Sequence, residues 1–177
     1  SRMKDRLSRE DWVAAGLKAL TEDGERALRA DRLARSIGVS RGSFYWHFKD
    51  LSDFHDAVLS AWRERTTEAV IDALSSSDAS REARLARLVR DAFSFEAPLE
   101  RAIRSWATTE PRARDAVEAV DARRTGYLRE LMAGREMADA KAKLIYLAFV
   151  GYVMRPNPEE RLSETDAAAL LQAALAN

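Results

Sequence analysis

Apolar side chains recur three and four positions apart along nearly the whole chain, which is the period of amphipathic helices. About nine such segments can be traced, and none shows the strict alternation that is typical of a half-buried strand. The first segment begins after Ser8 with a capping sequence and stops at Gly24. The sequence therefore predicts an all-α protein.

Two short helices are predicted on either side of Gly38, over residues 31–37 and 41–48. Gly38 can adopt a positive φ and end the first helix, and Ser40 can cap the second. Two short helices joined by a tight glycine turn form a helix-turn-helix motif, whose second helix enters the major groove of DNA. We call the N-terminal part of the chain that carries this motif the head, and we expect it to bind DNA.

The second of these helices has an apolar face and an unusual exposed face. Phe44 and Phe48 are four positions apart, so both point toward the core. Trp46 points away from it, and a DNA groove explains such a large exposed aromatic side chain. The positions on and beside the exposed face offer groups to phosphates and base edges, and they are Arg41, Gly42, Ser43, Tyr45, Trp46, His47 and Lys49. The alternative is a helical hairpin whose aromatic side chains are buried between domains.

A long fourth helix is predicted over residues 53–75, and a polar stretch over 75–80 follows it. We therefore expect a DNA-binding domain over residues 1–52 and a second helical domain over 53–177, with the long helix connecting the two. A site for a ligand in such a domain would form between helices and be mostly apolar. Its candidate residues are Trp62, Phe93, Phe95, Arg104, Trp106, Tyr127 and Tyr146. The alternative is that these side chains belong to an ordinary core.

The last two helices carry an excess of apolar residues. The stretch 144–153 is apolar nearly all round, which is not typical of a surface helix. Two such helices from each of two subunits would form a four-helix bundle across a two-fold axis. The residues expected at this dimer interface are Leu144, Ile145, Leu147, Ala148, Gly151, Tyr152, Leu170, Leu171 and Ala174. The alternative is that neighbouring helices of the same chain cover both faces.

Composition narrows the function further. The chain has 29 basic and 29 acidic side chains, but residues 1–50 carry eleven basic and eight acidic ones, so the predicted head is mildly basic. Without cysteine and with two histidines, the chain offers no thiolate metal site and no histidine-rich metal cluster, and no catalytic motif or phosphate-binding loop is visible. We therefore predict a protein that is not an enzyme and needs no cofactor. No secretory signal or membrane-spanning run is visible, so a cytoplasmic location is expected.

The run from Leu33 to Asp50, which includes Gly-Ser-Phe-Tyr-Trp-His-Phe-Lys at 42–49, resembles the DNA-binding head of the TetR/AcrR family of transcriptional regulators. The resemblance covers about residues 8–60 and implies a homodimer that places two recognition helices in successive major grooves of an operator. It also implies release of the DNA when a small molecule binds the second domain. The resemblance also implies that seven residues stand where family members touch DNA, namely Arg41, Gly42, Ser43, Tyr45, Trp46, His47 and Lys49. Ser40 is predicted as a further DNA contact.

Two positions depart from the family pattern. Arg29 stands where a threonine often caps the second helix, so Asp31 is expected to cap it and Arg29 to reach a phosphate. Leu51 stands where a lysine is common, which removes one phosphate contact. The sequence predicts a repressor that a small, hydrophobic effector releases from its operator. The alternative is a helical protein-binding or architectural DNA-binding module without a ligand.

Overall fold

The computed structural model describes residues 7–93, 97–155 and 157–176, and within these ranges every regular element is helical. The α-helices are α1 (Arg9–Asp23), α2 (Ala30–Ile37), α3 (Arg41–His47), α4 (Leu51–Arg63), α5 (Ala69–Ser75), α6 (Arg81–Phe93), α7 (Pro98–Trp106), α8 (Pro111–Leu131), α9 (Ala138–Val153) and α10 (Glu164–Leu175). Short 3-10 turns occupy Glu25–Ala27 and Pro158–Glu160. The predicted all-α fold is confirmed.

The long helix after the head is interrupted. A π-helical segment, Glu64–Glu68, lies between α4 and α5, and the three follow one another without a break in the chain. Counted as one rod, they bring the described helices to the predicted nine. The hydroxyl of Thr66 donates to the carbonyl of Trp62 at 2.8 Å, a back-bond of the kind that distorts helices.

Local capping chemistry sets most of the predicted helix ends. Ser8 and Asp11 form a reciprocal capping box, in which the Ser8 hydroxyl accepts the Asp11 amide at 3.1 Å. Gly38 has φ 73° and ψ 32°, the left-handed conformation that ends α2 as predicted. Asp50 accepts the Asp53 amide at 2.8 Å and caps α4.

Two capping predictions are wrong. Ser40 occupies the N-cap position of α3, but its side chain caps nothing, because the Ser43 amide donates to the Ser40 carbonyl at 3.1 Å instead. Asp31 does not cap α2, because the helix begins earlier, with Arg29 as N-cap. The Asp31 carboxylate lies inside the first turn, where its negative charge interacts favourably with the positive end of the helix dipole.

Packing divides the chain into two compact units, the first within residues 1–66 and 102–118 and the second within 67–101 and 119–177. The first unit therefore adds residues 53–66 and 102–118 to the predicted head. The predicted boundary of the DNA-binding domain at residue 52 stays a prediction.

An aromatic cluster forms the core of the first unit. Phe44 is fully buried and packs edge-on against Trp12 at 5.5 Å and Phe54 at 5.2 Å, measured between ring centroids. Phe48 lies against Phe44 and Phe54 at 5.1 and 4.9 Å. Gly16 of α1 lets α4 approach closely, since a β-carbon there would lie 2.7 Å from the Phe54 ring. These contacts hold α3 on the frame of α1 and α4.

The second unit has its own core, built from α5, α6, α8, α9 and α10. Its buried members are Ile71, Leu74, Leu85, Val89, Phe93, Tyr127, Leu128, Leu131, Met132, Ala142, Ile145, Tyr146 and Ala167. None of the helices in the described ranges combines the length and the apolar character needed to span a membrane.

Candidate nucleic-acid interface

The short helix α3 is buried on one face and exposed on the opposite face. Phe44 and the cap residue Phe48 are at most 1% exposed, whereas Trp46 is 70% and Tyr45 48% exposed. The predicted orientation of this helix is therefore confirmed. Two large aromatic side chains project from a helix of seven residues whose other face is locked into the core.

Arg41 and Tyr45 form a pair on the exposed face. A terminal nitrogen of the Arg41 guanidinium donates to the Tyr45 hydroxyl at 3.3 Å, and the guanidinium carbon lies 5.6 Å from the ring centroid. The hydrogen bond to Tyr45 raises the pKa of Arg41 above its usual value. Stacking on the ring restrains a long cation at the start of α3, where side chains of a recognition helix reach base edges.

The remaining predicted DNA contacts differ in exposure. Lys49, Ser40, Gly42 and Arg29 are exposed, and Ser43 is half-buried. Arg29 has no capping bond, as predicted. The roles of these side chains toward DNA stay predictions.

His47 is placed differently from its neighbours. Its ring is half-buried, and Nε2 lies 2.8 Å from the carbonyl oxygen of Leu7, just before α1. Nearby, the guanidinium of Arg9 lies 4.9 Å from the centroid of the Phe48 ring and 3.8 Å from the Asp53 carboxylate. Arg9 and Asp53 were not among the predicted residues, because pairing across 44 positions leaves no local signal in the sequence.

A second histidine supports the first unit from another side. His55 Nε2 donates to the Leu28 carbonyl at 3.2 Å, and its ring packs edge-on against Trp106 at 4.9 Å. Burial lowers the pKa of His55, although the bond to Leu28 opposes that shift. The adjacent Asp56 accepts a 2.6 Å bond from Arg112 of α8. No three metal-ligating side chains come together in the part of the chain that the structure describes.

The candidate ligand residues are mostly core residues. Trp62 and Trp106 are buried in the first unit, where Arg104 is half-buried. Phe93, Tyr127 and Tyr146 are buried in the second unit, and Phe95 lies outside the described residues. A ligand role for these side chains stays a prediction.

The second unit contains an ion pair built on the buried Glu100, which was not predicted from the sequence. Glu100 is 3% exposed and accepts from Arg124 at 2.6 and 3.3 Å. Arg124 also donates to Thr67, itself 1% exposed, at 3.0 Å. Burial lowers the pKa of Arg124, but the Glu100 carboxylate and Tyr146 together outweigh that effect, so the pKa is raised. Tyr146 donates to Asp121 beside this pair.

Much of the predicted dimer interface is exposed in the single chain. Leu144, Leu147 and Leu170 are 64%, 68% and 58% exposed. The small residues among the candidates are exposed too, and they are Ala148, Gly151 and Ala174. Tyr152 and Leu171 are half-buried, whereas Ile145 packs in the core of its own chain and is not available to a partner.

Known proteins resemble this chain in two distinct ways. Residues 13–57 match the family model described as bacterial regulatory proteins, tetR family. Over 57 residues the chain is 35% identical to the tetracycline repressor protein class C of Escherichia coli, a match that covers 32% of this chain and 26% of that protein. The sequence match thus spans about a quarter of the relative.

The structural match is wider. Reduced NemR of E. coli has a TM-score of 0.79 with 15% identity, covering 94% of this chain and 96% of that one. A putative transcriptional regulator of Saccharomonospora viridis, solved with choline, has a TM-score of 0.78 with 16% identity, covering 96% and 95%. At these identities the likeness shows a shared fold across both units.

Proposed function

We propose that this chain, whose N-terminal segment belongs to the TetR family of bacterial regulatory proteins, is a sequence-specific DNA-binding transcriptional regulator. The observation that carries the proposal is the exposed pair Tyr45 and Trp46 on a short helix whose opposite face is locked by Phe44. In a helix-turn-helix, that exposed face enters the major groove.

Some of the exposed residues would contact bases, and others would contact phosphates. Tyr45 and Trp46 offer ring faces and polar edges to the bases, and Arg41 offers a guanidinium that suits guanine. Lys49 offers a charge to phosphate, which fixes the position of the helix on the duplex.

We propose further that the protein acts as a homodimer. The supporting observation is the exposed apolar face of α9 and α10, which includes Leu144, Leu147 and Leu170. Burying such side chains against a second copy is favourable, and a two-fold axis would pair the same patch on both chains. The two recognition helices would then enter the major groove about 34–36 Å apart, one turn of DNA.

A small molecule is the proposed regulator of DNA binding. The Saccharomonospora protein of the same fold was solved with choline, which supports a small-molecule site in this fold. The predicted location is the second unit, where buried aromatic residues such as Phe93, Tyr127 and Tyr146 are the candidates to line the site. A ligand that binds the DNA-free conformation more tightly would release the operator, and the protein would act as a repressor. The proposal includes no catalytic step.

The decisive experiment is selection from a random 30-base-pair duplex pool by the full chain at moderate salt. We expect a palindrome with half-sites one helical turn apart, bound by a dimer in sedimentation. A protein that enriches no sequence is not a sequence-specific regulator, and enrichment-free binding would favour an architectural module.

Matched variants locate the interface on the selected duplex. Tyr45→Ala should weaken binding by about 1–3 kcal/mol, as expected for a base contact. Lys49→Ala should weaken it less and lower the salt slope by about one. Arg87→Ala removes an exposed cation of α6 and should change neither.

A further inference from the structure

His47 makes a long-range contact that is not expected from its position in the recognition helix. Its Nε2 lies 2.8 Å from the carbonyl oxygen of Leu7, forty positions earlier in the chain. A carbonyl oxygen only accepts hydrogen bonds, so Nε2 carries the hydrogen and the ring is the donor. The side chain is half-buried, unlike Tyr45 and Trp46 beside it.

The carbonyl of Leu7 accepts this bond from outside the helix that follows it, because two amides of that helix bond to Ser8 instead. The Asp11 amide, which stands four positions later, is taken by the hydroxyl of Ser8 at 3.1 Å. The next amide, that of Trp12, donates to the Ser8 carbonyl at 3.2 Å. His47 therefore satisfies an oxygen that the capping box leaves outside the helix.

Arg9 makes two further contacts in the same place. Its guanidinium lies 4.9 Å from the Phe48 ring centroid and 3.8 Å from the Asp53 carboxylate. Asp53 in turn accepts the Lys49 amide at 3.0 Å. The start of α1 is thus fastened to the residues that end α3 and begin α4. We call the contacts of Leu7 and Arg9 with His47, Phe48 and Asp53 the N-terminal latch.

We propose that His47 is a positioning residue, which acts through the N-terminal latch and does not contact DNA. This inference rests on the proposed function, since it concerns how the recognition helix is held on its operator. The helix is seven residues long and ends at Phe48, where the backbone becomes extended. The core holds its middle through Phe44, and the latch holds its last turn, from which Tyr45 and Trp46 project.

Two amide substitutions separate positioning from DNA contact, because each replaces one ring nitrogen. The amide nitrogen of glutamine can occupy the place of Nε2 and donate to Leu7, whereas that of asparagine can occupy only the place of Nδ1. We measure binding of His47→Gln and His47→Asn to the duplex that the wild-type full chain selects from a random pool, over a range of salt. The expected result is affinity within about threefold of wild type for His47→Gln and a loss of about tenfold for His47→Asn.

Salt dependence gives a readout that a phosphate contact would move. A lost phosphate contact lowers the slope of log affinity against log salt by about one, as Lys49→Ala should do. The positioning role predicts an unchanged slope in His47→Asn. The proposal is overturned if asparagine binds as well as or better than glutamine, if both variants bind like wild type, or if either variant lowers the slope.

Nitrogen NMR of the free protein tests the latch without DNA. The long-range proton–nitrogen spectrum of the His47 ring should show hydrogen on Nε2, and the other tautomer would overturn the proposal. If the wild-type chain selects no duplex, the proposed function itself fails and the DNA role of His47 fails with it. If it selects one but the glutamine and asparagine variants behave otherwise, only the positioning role fails.

Discussion

Gly16 lies where α1 and α4, the two helices that support the recognition helix, pack closely against each other. A β-carbon added there would lie 2.7 Å from Cζ of Phe54 and 3.0 Å from Cγ2 of Val58, distances that packed atoms do not sustain. The Phe54 ring cannot swing aside easily, because it is fully buried between Phe44 and Phe48. Gly16→Ala should therefore destabilise the first unit, although alanine favours a helix.

The magnitude follows from a matched control. Gly126 lies in α8, and a β-carbon there would meet nothing within 4 Å. Both substitutions gain about 1 kcal/mol of helix propensity, so Gly126→Ala should stabilise the protein by up to that amount. Overpacking costs about 1–3 kcal/mol, and that cost is the expected difference between the two variants.

The assay is urea unfolding followed by tryptophan emission. The four tryptophans of the chain, Trp12, Trp46, Trp62 and Trp106, all lie in the first unit, so the signal reports on the unit that contains Gly16. Far-ultraviolet circular dichroism follows Gly126→Ala, whose site lies in the second unit. If Gly16→Ala proves as stabilising as Gly126→Ala, the close crossing of α1 and α4 does not constrain position 16.

Three further predictions concern other parts of the molecule. Glu100→Gln removes the buried carboxylate that pairs with the largely buried Arg124 and should cost about 3–5 kcal/mol in urea unfolding followed by circular dichroism; a cost below about 1 kcal/mol would contradict the importance of this pair. Leu147→Glu places a charge on the exposed face of α9 and should shift sedimentation toward monomer, and an unchanged dimer would remove that face from the interface. Burial holds the pKa of His55 below its ordinary value of 6.5, so the unfolded chain binds its proton more readily and stability should fall as pH drops below 6.5. His55→Gln should flatten that decline, and an unaltered pH profile between 7 and 5 would contradict it.

Helix ends were predictable where a single residue sets them. The capping box at Ser8, the left-handed Gly38 and the cap at Asp50 each depend on groups within four positions. Asp31 was mispredicted because α2 begins at Ala30 without any side-chain cap, a start that leaves no signature in the sequence. The faces of α3 followed from helical rotation alone, because Phe44 and Phe48 share one side.

Contacts between residues far apart in the sequence could not be predicted from the sequence. The π-helical segment contains Thr67, whose hydroxyl accepts a hydrogen bond from Arg124, 57 positions away. The spacing of apolar residues fits one continuous helix, so it does not indicate this interruption. His47 was predicted as a DNA contact because it stands in the recognition helix, and its hydrogen bond to Leu7, forty positions earlier, leaves no local signal in the sequence.

The apolar helix α9 shows the limit of hydrophobic periodicity. Its sequence is apolar nearly all round, so no preferred inward face could be assigned. In the structure Ile145 is buried and Leu144 and Leu147 are exposed, a choice made by the packing of the second unit. The exposed leucines were predicted as interface residues, and that role stays a prediction.

The most direct test of the account compares two exposed apolar side chains in binding to the selected duplex. Trp46 of α3 is 70% exposed and Met137, beside α9, is 66% exposed, so both truncations remove a similar surface feature. Trp46→Ala should weaken binding by about 1–3 kcal/mol, roughly fivefold to 150-fold, with circular dichroism unchanged, and Met137→Ala should bind like wild type. Equal affinity of both variants and wild type would contradict the claim that the exposed face of α3 enters the groove.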